Sequence, residues 1–305
     1  MKLSAIAGAI ALTLTSWSSA QEFSAGEPLG TVNEAGESKQ MSSNVKVYGS
    51  FRFAESCTFD PERNLILAMN AGVPQNMQEN DGYVSLINPD GSVHTAKWIG
   101  DDRDGLTLNQ PLGSAIHDGV LYVADTDTVR TFNLASGQPL MSHSVAEAGA
   151  NGLNGIAVAE DGTIYASNTR DPQRIYRVTA NGEASVFIDG SPLLLPNGVA
   201  MDNDGNIVVI NIGNNHVMTF NTDGELINTE YAAESGNDGI VITEDGTKYV
   251  SSVRYGSISK IVPGEDAEVI AEGIPSAASI CYDPVQNQIV IPMNNNNALG
   301  FLPLD

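Results

Sequence analysis

Short apolar runs separated by acidic-glycine turns fill the chain from Glu55 to its end. LILAMN, VLYVADT, IYASNT, IVVINI, KYVSSV and QIVIPM each follow a turn, respectively DPERN, HDG, AEDGT, DNDGN, TEDGT and DPVQN. Runs this short, rich in Val, Ile and Tyr and bounded by such turns, predict antiparallel hairpins. Ahead of each turn stands a recurring phrase: ESCTFD from Glu55, LGSAIH from Leu112, NGIAVA from Asn154, NGVAMD from Asn197, DGIVIT from Asp238 and ASICYD from Ala278. Successive copies start 57, 42, 43, 41 and 40 residues apart. A third strand follows in several copies (RIYRVT at Arg174, HVMTFN at His216) and a fourth closes the unit, as in ASVFID at Ala184. No segment sustains a helical period, so the chain is all-β. Four strands repeating about every 40 residues make a propeller blade, and six copies predict a six-bladed β-propeller of four-stranded blades.

The chain ends fit a closed circle. From Ala278 to Asp305 there is room for only three strands, and VKVYGSF (Val45–Phe51), upstream of the first phrase, can supply the fourth. A last blade closed by an N-terminal strand removes two open sheet edges. The propeller domain is therefore 45–305. The surplus in the first interval falls on NAGVPQNMQENDG, Asn70 to Gly82, expected as an extended loop over one face.

Residues 1–20 have the order of an export signal: Lys2, an apolar stretch from Leu3 to Leu14, then Ser18-Ser19-Ala20 before cleavage near Gln21. The apolar stretch is shorter than the about 20 residues a membrane span needs. A periplasmic or secreted location follows, with no membrane insertion. Residues 21–44, rich in Gly, Ser and Glu with few large apolar groups, are expected to form a poorly ordered leader. Nothing in the pattern chooses between a monomer and a small homo-oligomer.

The full chain carries 14 basic against 37 acidic residues, a net of −23. Such a surface repels phosphate backbones and anionic lipid, which excludes nucleic acid as a partner and favours cations in any cleft. Export permits a disulfide between Cys57 and Cys281. They lie two and three residues past the starts of their phrases, a parity that suits facing surfaces of the first and last blades. Two buried free thiols satisfy the same pattern, because stacked sheets are close enough for a bridge only near the axis.

If the six phrases are equivalent in space, their first residues form a ring: Glu55, Leu112, Asn154, Asn197, Asp238 and Ala278. Two carboxylates sharing a small, partly buried space repel unless a cation sits between them. Asn154 and Asn197 add amide oxygens without charge. This donor set suits one hard divalent metal, with calcium first on ligand type and zinc or magnesium as alternatives. The Gly after most ring residues is repeat architecture, since it follows Leu112 too. The acidic turns are scaffold: DNDGN at Asp202 places its Gly fourth, where a calcium loop needs it sixth. His94, His117, His143 and His216 lie in unrelated parts of different blades. A second tier at the ends of the second strands (Asn70, Asp125, Asn168, Asn211, Ser252 and Asn294 to Asn297) could read the hydroxyls of a small ligand. Arg254 could meet a carboxylate.

These residues resemble the SMP-30/gluconolactonase group of six-bladed propellers. The resemblance rests on LPNGVAMDNDGNI from Leu195, NDGIVITEDGTKYVSS from Asn237 and LNGIAVAEDGTIYASNT from Leu153, and it spans nearly all of the mature chain. It implies hydrolysis of a sugar-acid lactone using one divalent metal held by Glu55, Asn197 and Asp238. It also implies Asp238 as base and Asn154 against substrate or water. The family usually has Gly-Pro after its first Glu, where this chain has Ser56-Cys57. Its sugar lactonases often carry Arg at the place of Gly152. The metal site therefore transfers better than the sugar specificity. The expected function is a metal-dependent hydrolase acting on a lactone or small ester. The rival is a non-catalytic propeller in which a metal pins the channel.

Overall fold

The computed structural model describes residues 30–49, 51–73, 80–100 and 106–304. Six antiparallel four-stranded sheets follow one another. Blade I comprises Ala54–Asp60, Leu65–Asn70, Tyr83–Ile87 and Val93–Ile99. Blades II to V begin with the inner strands Pro111–His117, Leu153–Val158, Pro196–Met201 and Asn237–Ile242. Each inner strand touches that of the next blade, and blade VI returns to blade I. The six-bladed propeller read from the repeats is the fold.

Blade VI is built from both ends of the chain. Cys281–Asp283, Gln288–Met293 and Ala298–Pro303 are completed by Lys46–Gly49, which pairs antiparallel with Ala298–Phe301. Its inner strand is shorter than the repeat suggests, because Ser279 pairs instead with Ser56 of blade I. The Ser279 amide donates to the Glu55 carbonyl at 3.0 Å.

The apolar runs lack strict alternation because both faces of each blade are buried. In LILAMN, Leu65, Leu67 and Met69 pack toward blade II, whereas Ile66 and Ala68 pack toward blade VI. Every blade interface has such a cluster, six in all. At the I–VI interface Cys57 and Cys281 form a disulfide, with Cα atoms 5.4 Å apart. That resolves the two alternatives the spacing left open.

The expected leader departs from its composition over residues 30–44. Gly30–Val32 and Ser38–Gln40 form an antiparallel hairpin. Met41 packs against the apolar cluster of blades V and VI, and polar contacts to blade V add to it: the Glu34 amide donates to the Arg254 carbonyl at 3.1 Å and that of Ser42 to the Glu272 carbonyl at 2.9 Å. Lys39 also pairs with Glu272 at 3.5 Å. The export signal, residues 21–29 and positions 74–79 of the long loop lie outside the described residues.

Candidate active site

The ring residues are aimed by a repeated distortion. In blades I to V the pairing of the first two strands shifts register at the ring position, as between Leu153 and Ile156, Pro196 and Val199, or Asn237 and Ile240. A β-bulge bends its strand and redirects a side chain. Next to it the inner strands come close enough to exclude a side chain. A Cβ on Gly155 would lie 2.2 Å from the Asn197 carbonyl oxygen, and one on Gly198 would lie 2.8 Å from that of Asp238. In blade I the equivalent residue is Ser56, whose hydroxyl donates to the Leu112 carbonyl.

All four polar ring residues are buried: Glu55, Asn154, Asn197 and Asp238 are 5, 8, 1 and 3% exposed. Asn197 Nδ2 lies 3.4 Å from Asp238 Oδ2. Burial raises the Glu55 pKa from 4.5 to about 7, opposed by a hydrogen bond from Asn294. Burial also pushes the Asp238 carboxyl well above its usual range, and the Glu55 charge pushes it further. Three oxygens of this set, Asn154 Oδ1, Asn197 Oδ1 and Asp238 Oδ1, are buried with no hydrogen-bond partner. Buried polar atoms are rarely left unpaired, so this clustering is chemically informative. Unpaired oxygens beside two carboxylates fit a hard divalent cation, and the donor set passes that test. The described residues contain no group of three or more His, Cys, Asp or Glu that could hold a metal, so amide oxygens would complete the ligand set.

Sequence reasoning missed the specific role of Asn294. It lies at the end of the second strand of blade VI, and its Nδ2 donates to Glu55 Oε2 at 2.7 Å. The signal was present in the Asn294–Asn297 run, but not which member reached the ring.

The rest of the second tier is reassigned. Asp125 Oδ1 accepts from the amides of Asn109 and Gln110 at 2.9 and 2.7 Å, and its Oδ2 accepts from Arg130 at 3.0 Å. Asn168 Oδ1 accepts from the Asn151 and Gly152 amides at 3.0 and 2.9 Å, while its Nδ2 donates to the Arg170 and Pro172 carbonyls. Asn211 accepts from the Leu194 amide and donates to Asn214. Asn70 and Ser252 make comparable bonds to backbone groups at Arg52 and Ser235. Asp125, Asn168 and Asn211 have no exposed surface. They staple the loop entering their own blade, a demand for buried backbone pairing that outweighs the expected ligand role. Arg254 is engaged by Glu34 of the hairpin at 3.3 Å.

The opposite end of the channel differs in chemistry. Ile156, Val199, Met201, Ile240 and Ile280 help line a cavity of about 500 Å³ there. A larger cavity, about 740 Å³, lies between blades V and VI near Thr243, Tyr249 and Tyr282. It is farther along the blade V inner strand than Asp238, so size alone does not locate the polar site.

The sequence matches the model of the SMP-30/Gluconolactonase/LRE-like region over residues 56–291, and the chain belongs to that family. Glu55 stands one residue before the matched span, so its place in the ring rests on geometry. Among solved structures, a gluconolactonase from Xanthomonas campestris is 18% identical, with 86% of this chain and 91% of that chain covered at a TM-score of 0.61. Virginiamycin B lyase from Staphylococcus aureus is 14% identical over 86% of this chain and 100% of that chain, at a TM-score of 0.59. A protein from Bacteroides thetaiotaomicron is 16% identical over 86% and 72%, with a TM-score of 0.60. At these identities the likeness concerns the fold. No curated protein matches the sequence significantly. Among the described residues, no helix is long and apolar enough to cross a membrane.

Proposed function

We propose that this protein hydrolyses a lactone, or a small ester of similar shape, at a divalent-cation site made by Glu55, Asn154, Asn197 and Asp238. The observation that carries the reading is the pair of buried carboxylates surrounded by buried amide and carboxylate oxygens that lack partners. Calcium is the first choice for this all-oxygen set, with zinc or magnesium as alternatives. A bound cation supplies positive charge that polarises the substrate carbonyl and offsets charge developing on its oxygen.

The chain's own groups then have separate tasks. Asn294 holds Glu55 by a hydrogen bond, and Asn197 sits against Asp238. Asp238 accepts the proton of the attacking water, and its buried setting favours proton uptake. Asn154, with its buried oxygen unpaired, orients substrate or water. The sugar-acid class is the family's suggestion. The Cys57–Cys281 bridge supports export to an oxidising compartment.

Lactone hydrolysis should disappear when divalent ions are removed and return with calcium. Asp238→Asn should lower kcat by about 10²–10⁴-fold, the usual worth of a general base, with the circular dichroism of the wild type retained. Calcium binding without turnover of any lactone in a broad panel would leave the non-catalytic propeller instead.

A further inference from the structure

Neighbouring blades belong to separate sheets. Among the described residues, no sheet ladder joins neighbouring blades apart from the single Ser56–Ser279 bridge between blades I and VI, so other groups must fix one ring residue relative to the next. Two buried serines do so with the same geometry. Ser167 Oγ accepts from the Gly155 amide at 2.9 Å and donates to the Asn197 carbonyl at 2.5 Å. Ser251 Oγ accepts from the Gly239 amide at 2.8 Å and donates to the Ala278 carbonyl at 2.6 Å. Both serines have no exposed surface.

The equivalent position, next to last in the second strand, is Met69, Ala124 and Ile210 in blades I, II and IV. Packing alone therefore does not demand a hydroxyl there. The peptide groups it grips have a clear identity. The Gly155 amide belongs to the peptide following Asn154, and the carbonyl bonded across the gap is that of Asn197. Ser167 thus ties two candidate cation ligands from adjacent blades. The Gly239 amide follows Asp238, so Ser251 ties that residue to the small, non-ligating ring position Ala278.

We infer that Ser167 and Ser251 are positioning residues that hold the ring at cation-binding spacing: Ser167 couples Asn154 to Asn197, and Ser251 braces Asp238 against blade VI. This rests on the cation-site reading above. Groups that orient metal ligands without touching the ion commonly change affinity by about 10- to 100-fold when removed. A hydroxyl that merely filled space would show no such selectivity.

Calcium affinity, measured by titration calorimetry on the purified full chain first stripped of divalent ions, separates these cases. Ser167→Ala and Ser251→Ala should each bind calcium about 10- to 100-fold more weakly than wild type. Val178→Ala, a buried change in the same blade as Ser167 but paired with Ile164 at the other end of that serine's strand, provides the structural control. It should keep wild-type affinity despite lower stability. The two serine variants are made separately, so either one that folds tests the inference. Wild-type affinity in a folded serine variant, or an equal loss in Val178→Ala, overturns the positioning role while leaving the cation site standing. Failure of the wild type itself to bind calcium, zinc or magnesium overturns the site reading and this inference with it.

Discussion

At the scale of single residues, Glu55 and Asp238 set the energetics of the ring. In the metal-free protein Glu55 holds its proton up to about pH 7, against an ordinary value of 4.5. The folded state therefore binds that proton more tightly than the unfolded chain, and the associated stability is complete below pH 4.5. It is lost as pH rises through about 7. Asp238 acts in the same direction. Glu55→Gln cannot ionise, so metal-free Glu55→Gln and wild type should melt alike at acid pH and diverge as pH climbs through this window. The amide variant should be the more stable at neutrality, and saturating calcium should reverse that order. Parallel thermal melts on stripped protein measure the difference. A gap that stays constant across the window would mean that the carboxylate is not paying for burial.

At the scale of elements, the controlling feature is where inner strands abut. Gly155→Ala would push a methyl group to within 2.2 Å of the Asn197 carbonyl oxygen. Overpacking of this kind costs about 1–3 kcal/mol, and here the strand that must yield carries a candidate ligand. The variant should show both a lower denaturant midpoint and weaker calcium binding. Retention of both would show that the blades can separate without disturbing the ring. This glycine was legible in the sequence as part of the repeat, as were the hairpin turns, the six inner strands and a closing strand, expected within Val45–Phe51 and found at Lys46–Gly49. Periodicity reveals such features because every blade must solve the same packing problem. It does not reveal which way a polar strand end faces. Asn168 and Asn294 occupy similar places, yet one staples backbone amides and the other reaches Glu55. The hairpin over residues 30–44 was hidden for a related reason: its polar anchors on blade V lie more than two hundred residues away in the chain.

At the scale of the molecule, the circle closes only between blades I and VI. Three kinds of contact meet there: the strand Lys46–Gly49, an apolar interface and the Cys57–Cys281 bridge. The bridge spans a sequence separation of 224 residues. For a loop of that size, constraint of the unfolded chain contributes about 5 kcal/mol in the chain-entropy account. At about 2–4 °C per kcal/mol for a domain of this size, replacing both cysteines by serine should lower the thermal midpoint by roughly 10–20 °C. The same change should reach the ring. Cys57 lies two residues beyond Glu55 on the blade I inner strand, and the Ser279 amide near Cys281 bonds the Glu55 carbonyl at 3.0 Å. Opening this seam would therefore loosen Glu55 relative to Asp238, and calcium affinity should fall along with stability. Melts of the double variant with and without calcium separate the two effects, because weaker binding also shrinks the stabilisation calcium provides. An unchanged midpoint would assign closure to the N-terminal strand and the apolar interface. A lower midpoint with an undiminished calcium shift would make the bridge a clasp for the fold alone.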